Sequence, residues 1–121
     1  MGTFTAPIQI SDLARTNSVP VEAMVDTGAI YTLVPETVLT GIVLDEPETR
    51  EFALADENVV EYTVGYARIR FEEREVITLL IAASEGTTPL LGVTALEHAS
   101  LGVDPVIKRL IPIRGPLKQA N

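Results

Sequence analysis

Apolar and polar residues alternate with a period of two along most of the chain, the spacing of strands with one face turned to a core. A first strand candidate runs from Thr3 to Ile10, and the polar stretch from Ser11 to Ser18 reads as a turn. From Val19 to Val25, Val21, Ala23 and Val25 fall on one face and Glu22 on the other. Thr32-Leu33-Val34 is a short strand stopped by Pro35. Pro35 to Leu39 reads as one turn of helix, with proline at the first position and Glu36 at the positive end. Leu44 to Arg50 is acidic and contains Pro47, which predicts a loop. Arg50 to Ala55 and Val59 to Phe71 form a hairpin, with the turn formers Asp56-Glu57-Asn58 at its tip. Ala67, Ile69 and Phe71 face one way there, and Arg68 and Arg70 the other. Tyr62 and Tyr66 share a hairpin face; contact with a substrate is one reading, and cross-strand packing is the role expected of them. Glu72-Glu73-Arg74 is a polar reversal. Glu75 to Ala83, apolar on both faces, belongs at the centre of a sheet.

Gly86-Thr87-Thr88-Pro89 is a loop leading to Leu90-Leu91-Gly92, and Val93 to Ala99 reads as a short helix. Thr94 and Glu97 have capping-box spacing, and Leu101-Gly102 offers a glycine stop. Val106 to Ile113 is a last apolar segment, interrupted by Lys108-Arg109. About seven strands and one helix, without an internal repeat, predict an all-β fold. The expectation is a small closed barrel with one short helix near the C-terminus, in a single domain over residues 1–121.

At 121 residues the chain has the length of one domain, and a domain of this size buries roughly two-thirds of its unfolded surface. With 5% aromatic residues and no Trp, its core must be built from Val, Ile, Leu and Ala. The net charge of −8 argues against a nucleic-acid partner, which would require a basic surface. There is no Cys, so disulfides, thiolate metal sites and a cysteine nucleophile are excluded, and the single His98 reads as a surface residue. No metal is expected. The lack of Cys fits a reducing cytosol, so a cytoplasmic location is expected. The N-terminus lacks a basic region followed by an apolar stretch. The longest apolar run, Val76 to Ala83, is far short of the roughly 20 residues that cross a bilayer, so no membrane partner is expected.

One run changes this picture: Ala23-Met24-Val25-Asp26-Thr27-Gly28-Ala29. An apolar strand ends in a carboxylate, a hydroxyl and a glycine. A carboxylate beside apolar neighbours is costly unless the site uses it. Asp-Thr-Gly also suits an ordinary β-turn, so the triplet alone leaves both readings open. It occurs once, since Asp12, Asp45, Asp56 and Asp104 are not followed by Thr-Gly or Ser-Gly. Leu33-Val34-Pro35 comes shortly after it, the long hairpin follows, and Leu90-Leu91-Gly92 then leads into the short helix.

This set, from Val19 to Ile113, resembles the retroviral-type aspartic protease family, the single-lobe retropepsin-like domains, in a bacterial-type form. The resemblance implies a barrel of the acid protease type and a role for each matching residue. Asp26 would be the catalytic aspartate. Thr27 would hydrogen-bond across a twofold axis, Gly28 would let its N–H approach the carboxylate, and Ala29 would line the loop. Leu91 and Gly92 would pack behind that loop, braced by the helix. The hairpin near residues 52–65 would be a flap over substrate, with Asp56, Glu57 and Asn58 at its tip. Viral flaps have glycine-rich tips, whereas this one has no glycine until Gly65. Ile30 is apolar where the viral enzymes often carry an acid.

Elementary chemistry agrees with those roles. Amide hydrolysis without a cofactor needs a general base for water and an acid for the leaving group. Two adjacent carboxyl groups, one ionised and one protonated, supply both. One chain carries one such aspartate, so the expected enzyme is a homodimer with Asp26 of each copy at the twofold axis. Thr3 to Ile10 and Val106 to Ile113 are candidates for the strands that join the copies. The expected substrate is a peptide or protein, and no cofactor is required. The alternative is a non-catalytic dimeric module that binds a peptide or partner on the same fold.

Overall fold

Two alternating segments meet first in the chain. β1 (Phe4–Ser11) and β2 (Ser18–Val25) pair antiparallel with Ala6 opposite Ala23 and Ile8 opposite Val21, so their buried side chains share a face. The remaining elements are β3 (Thr32–Pro35), a 3-10 turn (Glu36–Leu39), β4 (Asp45–Ala53), β5 (Val59–Phe71), β6 (Arg74–Ala83), β7 (Leu90–Leu91), α1 (Val93–His98), β8 (Leu101–Asp104) and β9 (Arg109–Pro112). This computed structural model describes residues 4–114, so Thr3 of the first predicted strand lies outside it.

Seven strands form one sheet in the order β1-β2-β7-β3-β6-β5-β4. A further antiparallel pairing, Gln9 with Arg70, Ile10 with Ile69 and Ser11 with Arg68, joins β1 to β5 and turns the sheet into a ring. The fold is mostly β with one short helix, as the alternation predicts. The ring encloses an apolar cluster centred on Ile10, Val34, Ile69, Leu80, Leu91 and Leu96, all almost fully buried. β6 lies between β3 and β5, the central place its two apolar faces require.

Three local expectations are corrected. Residues 44–50 are not a loop, because β4 begins at Asp45 and pairs with β5. Pro47 sits where the register slips between Asp45 and Glu48, a place that demands no N–H from it. β4 is the outer strand and exposes almost every residue, so it shows no alternation; its charges and proline suit an edge. The predicted capping box does not form either. Gly92 is the residue before α1, without a side-chain cap, and Thr94 is already inside the helix. Finally, Ser100 takes the left-handed conformation (φ 56°) that ends the helix, and Leu101-Gly102 opens β8 instead of stopping α1. Gly102 is small because a methyl there would lie 2.9 Å from Ile113 Cγ2. The segment read as Val106 to Ile113 is a turn followed by β9, which pairs with β8 in a separate two-stranded sheet. The described residues thus hold nine strands in place of about seven.

An exposed ion cluster ties the β1–β2 connection to the ring. Glu75 Oε2 accepts from Arg15 at 2.6 Å and from Arg68 at 3.0 Å, and Arg68 Nε also donates to the Leu13 carbonyl at 2.7 Å. The Arg15 hydrogen bond, followed by that of Arg68, holds the Glu75 carboxyl below its ordinary value of 4.5 despite some desolvation. A depressed carboxylate stabilises the fold above its unfolded value, and that stability is lost as pH falls through the lower folded value. Glu75→Gln is therefore expected to cost about 1 kcal/mol at neutral pH, with the two proteins converging as pH falls through the depressed folded value. Denaturant unfolding across that range measures it.

Candidate active site

Short β7 sets the geometry. It inserts between β2 and β3, parallel to β2 (Met24 with Leu90, Val25 with Leu91) and antiparallel to β3 (Leu33 with Leu90). The strand entering the Asp-Thr-Gly loop and the strand leaving it are thereby spread apart. Met24 donates to the Pro89 carbonyl at 2.9 Å and the Asp26 N–H to the Leu91 carbonyl at 3.2 Å, which fastens the end of β2.

Residues 26–31 then turn back across the end of β7. The Ala29 N–H donates to the Asp26 carbonyl at 3.1 Å, and the Gly28 N–H donates to Asp26 Oδ1 at 2.9 Å. That second bond, an Asx turn, fixes the carboxylate relative to the loop. A methyl on Gly28 would lie 3.2 Å from the same oxygen, so glycine permits the approach. Asp26 and Ala29 are half-buried, while Thr27 and Gly28 are exposed.

α1 braces the loop from behind. The first N–H groups of a helix have no partner inside it. Here Val93 donates to the Ala29 carbonyl at 2.8 Å and Thr94 to the Ile30 carbonyl at 3.1 Å. The Asp26 loop therefore caps the helix, in place of the capping box read from the sequence. Leu91 and Gly92 are buried at this junction, beside the Asp26 loop.

One residue of the junction escapes the sequence reading. Thr32, 1% exposed, accepts the Gly92 N–H through Oγ1 at 3.0 Å. Its only sequence signal is a threonine at an inward strand position next to the loop. Thr32→Val removes this acceptor at nearly constant volume and strands a buried N–H, at an expected cost of about 1–3 kcal/mol. Thr32→Ser keeps the hydroxyl and should fall short of that loss; thermal unfolding of the two variants separates hydrogen bond from packing.

The β4–β5 hairpin covers the loop from the other side. An apolar cleft of about 210 Å³ lies between them, lined by Ala29, Ile30 and Tyr31 of the loop and by Phe52, Leu54 and Tyr62 of the hairpin, with Leu33 and Ile81 below. Tyr31 meets Phe52 edge-on, with centroids 6.0 Å apart, and Phe52 meets Tyr62 at 6.1 Å. Tyr62 is thus a packing residue, as expected, whereas Tyr66 is exposed. Asp56, Glu57 and Asn58 lie outside the cleft lining and satisfy one another: Asn58 N donates to Asp56 Oδ1 at 3.0 Å and Asn58 Nδ2 to Asp56 Oδ2 at 2.8 Å. Glu57 takes a left-handed φ of 71° at the tip, which a glycine would adopt without strain. Gly65 serves packing instead, because a methyl there would lie 2.6 Å from Leu44 Cβ. A larger open depression of about 390 Å³, lined by Pro7, Gln9, Pro20 and Arg70 among others, includes neither loop nor hairpin tip. Among the described residues, no three His, Cys, Asp or Glu side chains gather as a metal would require.

A family model described as "gag-polyprotein putative aspartyl protease" matches residues 13–98, most of the chain and all of the junction between loop and helix. The chain belongs to this family. Among solved structures, the EIAV protease complexed with the inhibitor HBY-793 is similar at a TM-score of 0.61 and 17% identity. That match covers 79% of this chain and 86% of that protein, so this aspartyl protease-family chain has a retropepsin-like fold. A search of curated proteins finds no match.

Proposed function

We propose that this chain, as one retropepsin-like domain over residues 1–121, is an aspartic endopeptidase that works as a homodimer. The observation that carries the reading is the Asp26 carboxylate, held by the Gly28 N–H on the loop whose next residues line the apolar cleft under the hairpin. Two such carboxyl groups at a twofold axis would share one proton, because like charges a few ångströms apart cannot both ionise. One Asp26 takes a proton from water as the water oxygen adds to the scissile carbonyl carbon. The protonated Asp26 of the second copy stabilises the developing oxyanion, and a proton passes to the amide nitrogen as the C–N bond breaks. The products are a carboxylic acid and an amine. Thr27 joins the two loops, and the hairpin with Asp56, Glu57 and Asn58 at its tip closes over the peptide.

Strand edges support the dimer. β1 pairs with β5 only from Gln9 onward, and among the described residues β9 pairs with β8 alone, so both offer backbone groups to a second copy. The charge of −8 supports a partner other than nucleic acid. No helix among the described residues is long and apolar enough to cross a membrane, and the cysteine-free chain suits the cytoplasm. The test is cleavage of a denatured protein pool between acidic and neutral pH. Cleavage by the parent and none by Asp26→Asn supports the peptidase. Cleavage by neither, with dimers retained, supports the dimeric binding module instead.

A further inference from the structure

The residues around the apolar cleft carry a charge pattern that selects its occupant. We infer that the site takes extended peptide segments in which a bulky apolar residue stands close to a Lys or Arg. The inference names the substrate class of the proposed peptidase and rests on that reading.

The cleft is nearly all apolar and measures about 210 Å³. A cavity of about 150 Å³ already accepts benzene, so one Leu or Phe side chain fits. A second cavity, of about 230 Å³, shares Tyr62 with it and is lined by Glu36, Glu61, Thr63 and Ser84. The Tyr62 hydroxyl and Ser84 Oγ are hydrogen-bonded at 2.9 Å, which fixes the shared side chain. Neither Glu36 nor Glu61 has an ion-pair partner among the described residues.

Glu61 also stands directly opposite Glu51 in the β4–β5 register. Like charges so placed repel each other, and an arriving cation relieves that repulsion. The chain around this pair is acidic as well. Residues 45–61 contain seven acids and one arginine, a net −6 out of the chain's −8, and that arginine, Arg50, is already paired with Glu48 at 2.6 Å. A peptide entering under this hairpin meets an apolar slot and, in the cavity beside it, the carboxylates of Glu36 and Glu61. A basic segment gains there what an acidic one loses.

The experiment uses short quenched-fluorescent peptides with a Leu-Phe centre, flanked in three series by Lys, Ala or Glu. The Lys series is expected to show kcat/KM about three- to tenfold above the Ala series, the worth of one partly exposed ion pair, with the Glu series lower still. Added salt should shrink the ratio. The double variant Glu36→Gln, Glu61→Gln should bring the Lys-to-Ala ratio close to one while melting no lower than the parent. Equal cleavage of all three series, or a ratio unchanged in the double variant, overturns the inference and leaves the peptidase standing. If no peptide is cleaved, the peptidase reading fails, and anisotropy of the same peptides on the parent decides. Tighter binding of the Lys series, lost in the double variant, keeps the inference; equal binding or none overturns it.

Discussion

Asp26→Asn is expected to lower kcat for peptide cleavage by about 10³- to 10⁴-fold across the whole pH range, with stability changed by less than about 1 kcal/mol. The small structural effect follows from the loop. The Gly28 N–H donates to Asp26 Oδ1, and an asparagine oxygen accepts the same bond in the same place. The large catalytic effect follows from proton chemistry. An amide can neither take a proton from water nor hold one for the leaving amine, so both roles of the dyad are lost. Mixed subunits sharpen the test. If each site needs Asp26 from both copies, exchange of equal amounts of parent and variant gives about a quarter of the activity of the same total amount of parent, in the parent–parent dimers alone. Retention of half would mean that each chain carries a complete site, and the shared dyad would be wrong. Quantitative subunit exchange, monitored by size and by cleavage of one peptide, distinguishes the two fractions.

What the sequence made legible follows the physical range of each interaction. β2, the far half of β5 and β6 were readable because one or both faces are buried, so the pleat imposes its period on the residues. The first half of β4 was not, because an exposed edge strand needs only a paired backbone, and Pro47 read as a breaker when it sits at a bulge. The ends of α1 were misread for a related reason. Capping rules look a few residues along the chain, whereas the N–H groups of Val93 and Thr94 find the carbonyls of Ala29 and Ile30, more than sixty residues earlier. In the site, the Asp26 triplet and Leu91-Gly92 were linked only through a family resemblance; no spacing rule predicts that β7 slides between β2 and β3. Thr32 stayed hidden because a buried hydroxyl and an ordinary strand threonine look alike until the Gly92 N–H is placed against it. The hairpin lies where the pattern predicts it, but its contact with the loop runs through Phe52, Leu54 and Tyr62, apolar residues that carry no turn signal, and not through the tip.

Gly92→Ala is expected to destabilise the fold by about 3 kcal/mol and to abolish cleavage with it. The reason is space, not backbone freedom, since Gly92 has φ −91° and ψ 172°, an extended conformation open to any residue. A methyl there would lie 2.5 Å from the Tyr31 carbonyl carbon and 2.8 Å from the Ile30 oxygen, both main-chain atoms. Neither can yield cheaply. The Ile30 oxygen holds Thr94, the neighbouring Ala29 oxygen holds Val93, and Gly92 itself donates to Thr32, so any displacement breaks hydrogen bonds at the base of the Asp26 loop. Gly28→Ala makes the informative contrast. Its methyl would press on a side-chain oxygen at 3.2 Å, which can rotate away, so the expected cost is activity with most of the stability kept. Denaturant midpoints and kcat for the two variants should therefore separate, with Gly92→Ala losing both and Gly28→Ala losing mainly kcat. Parent-like stability and cleavage in Gly92→Ala would show that the junction of β7, α1 and the loop does not hold the aspartate in place.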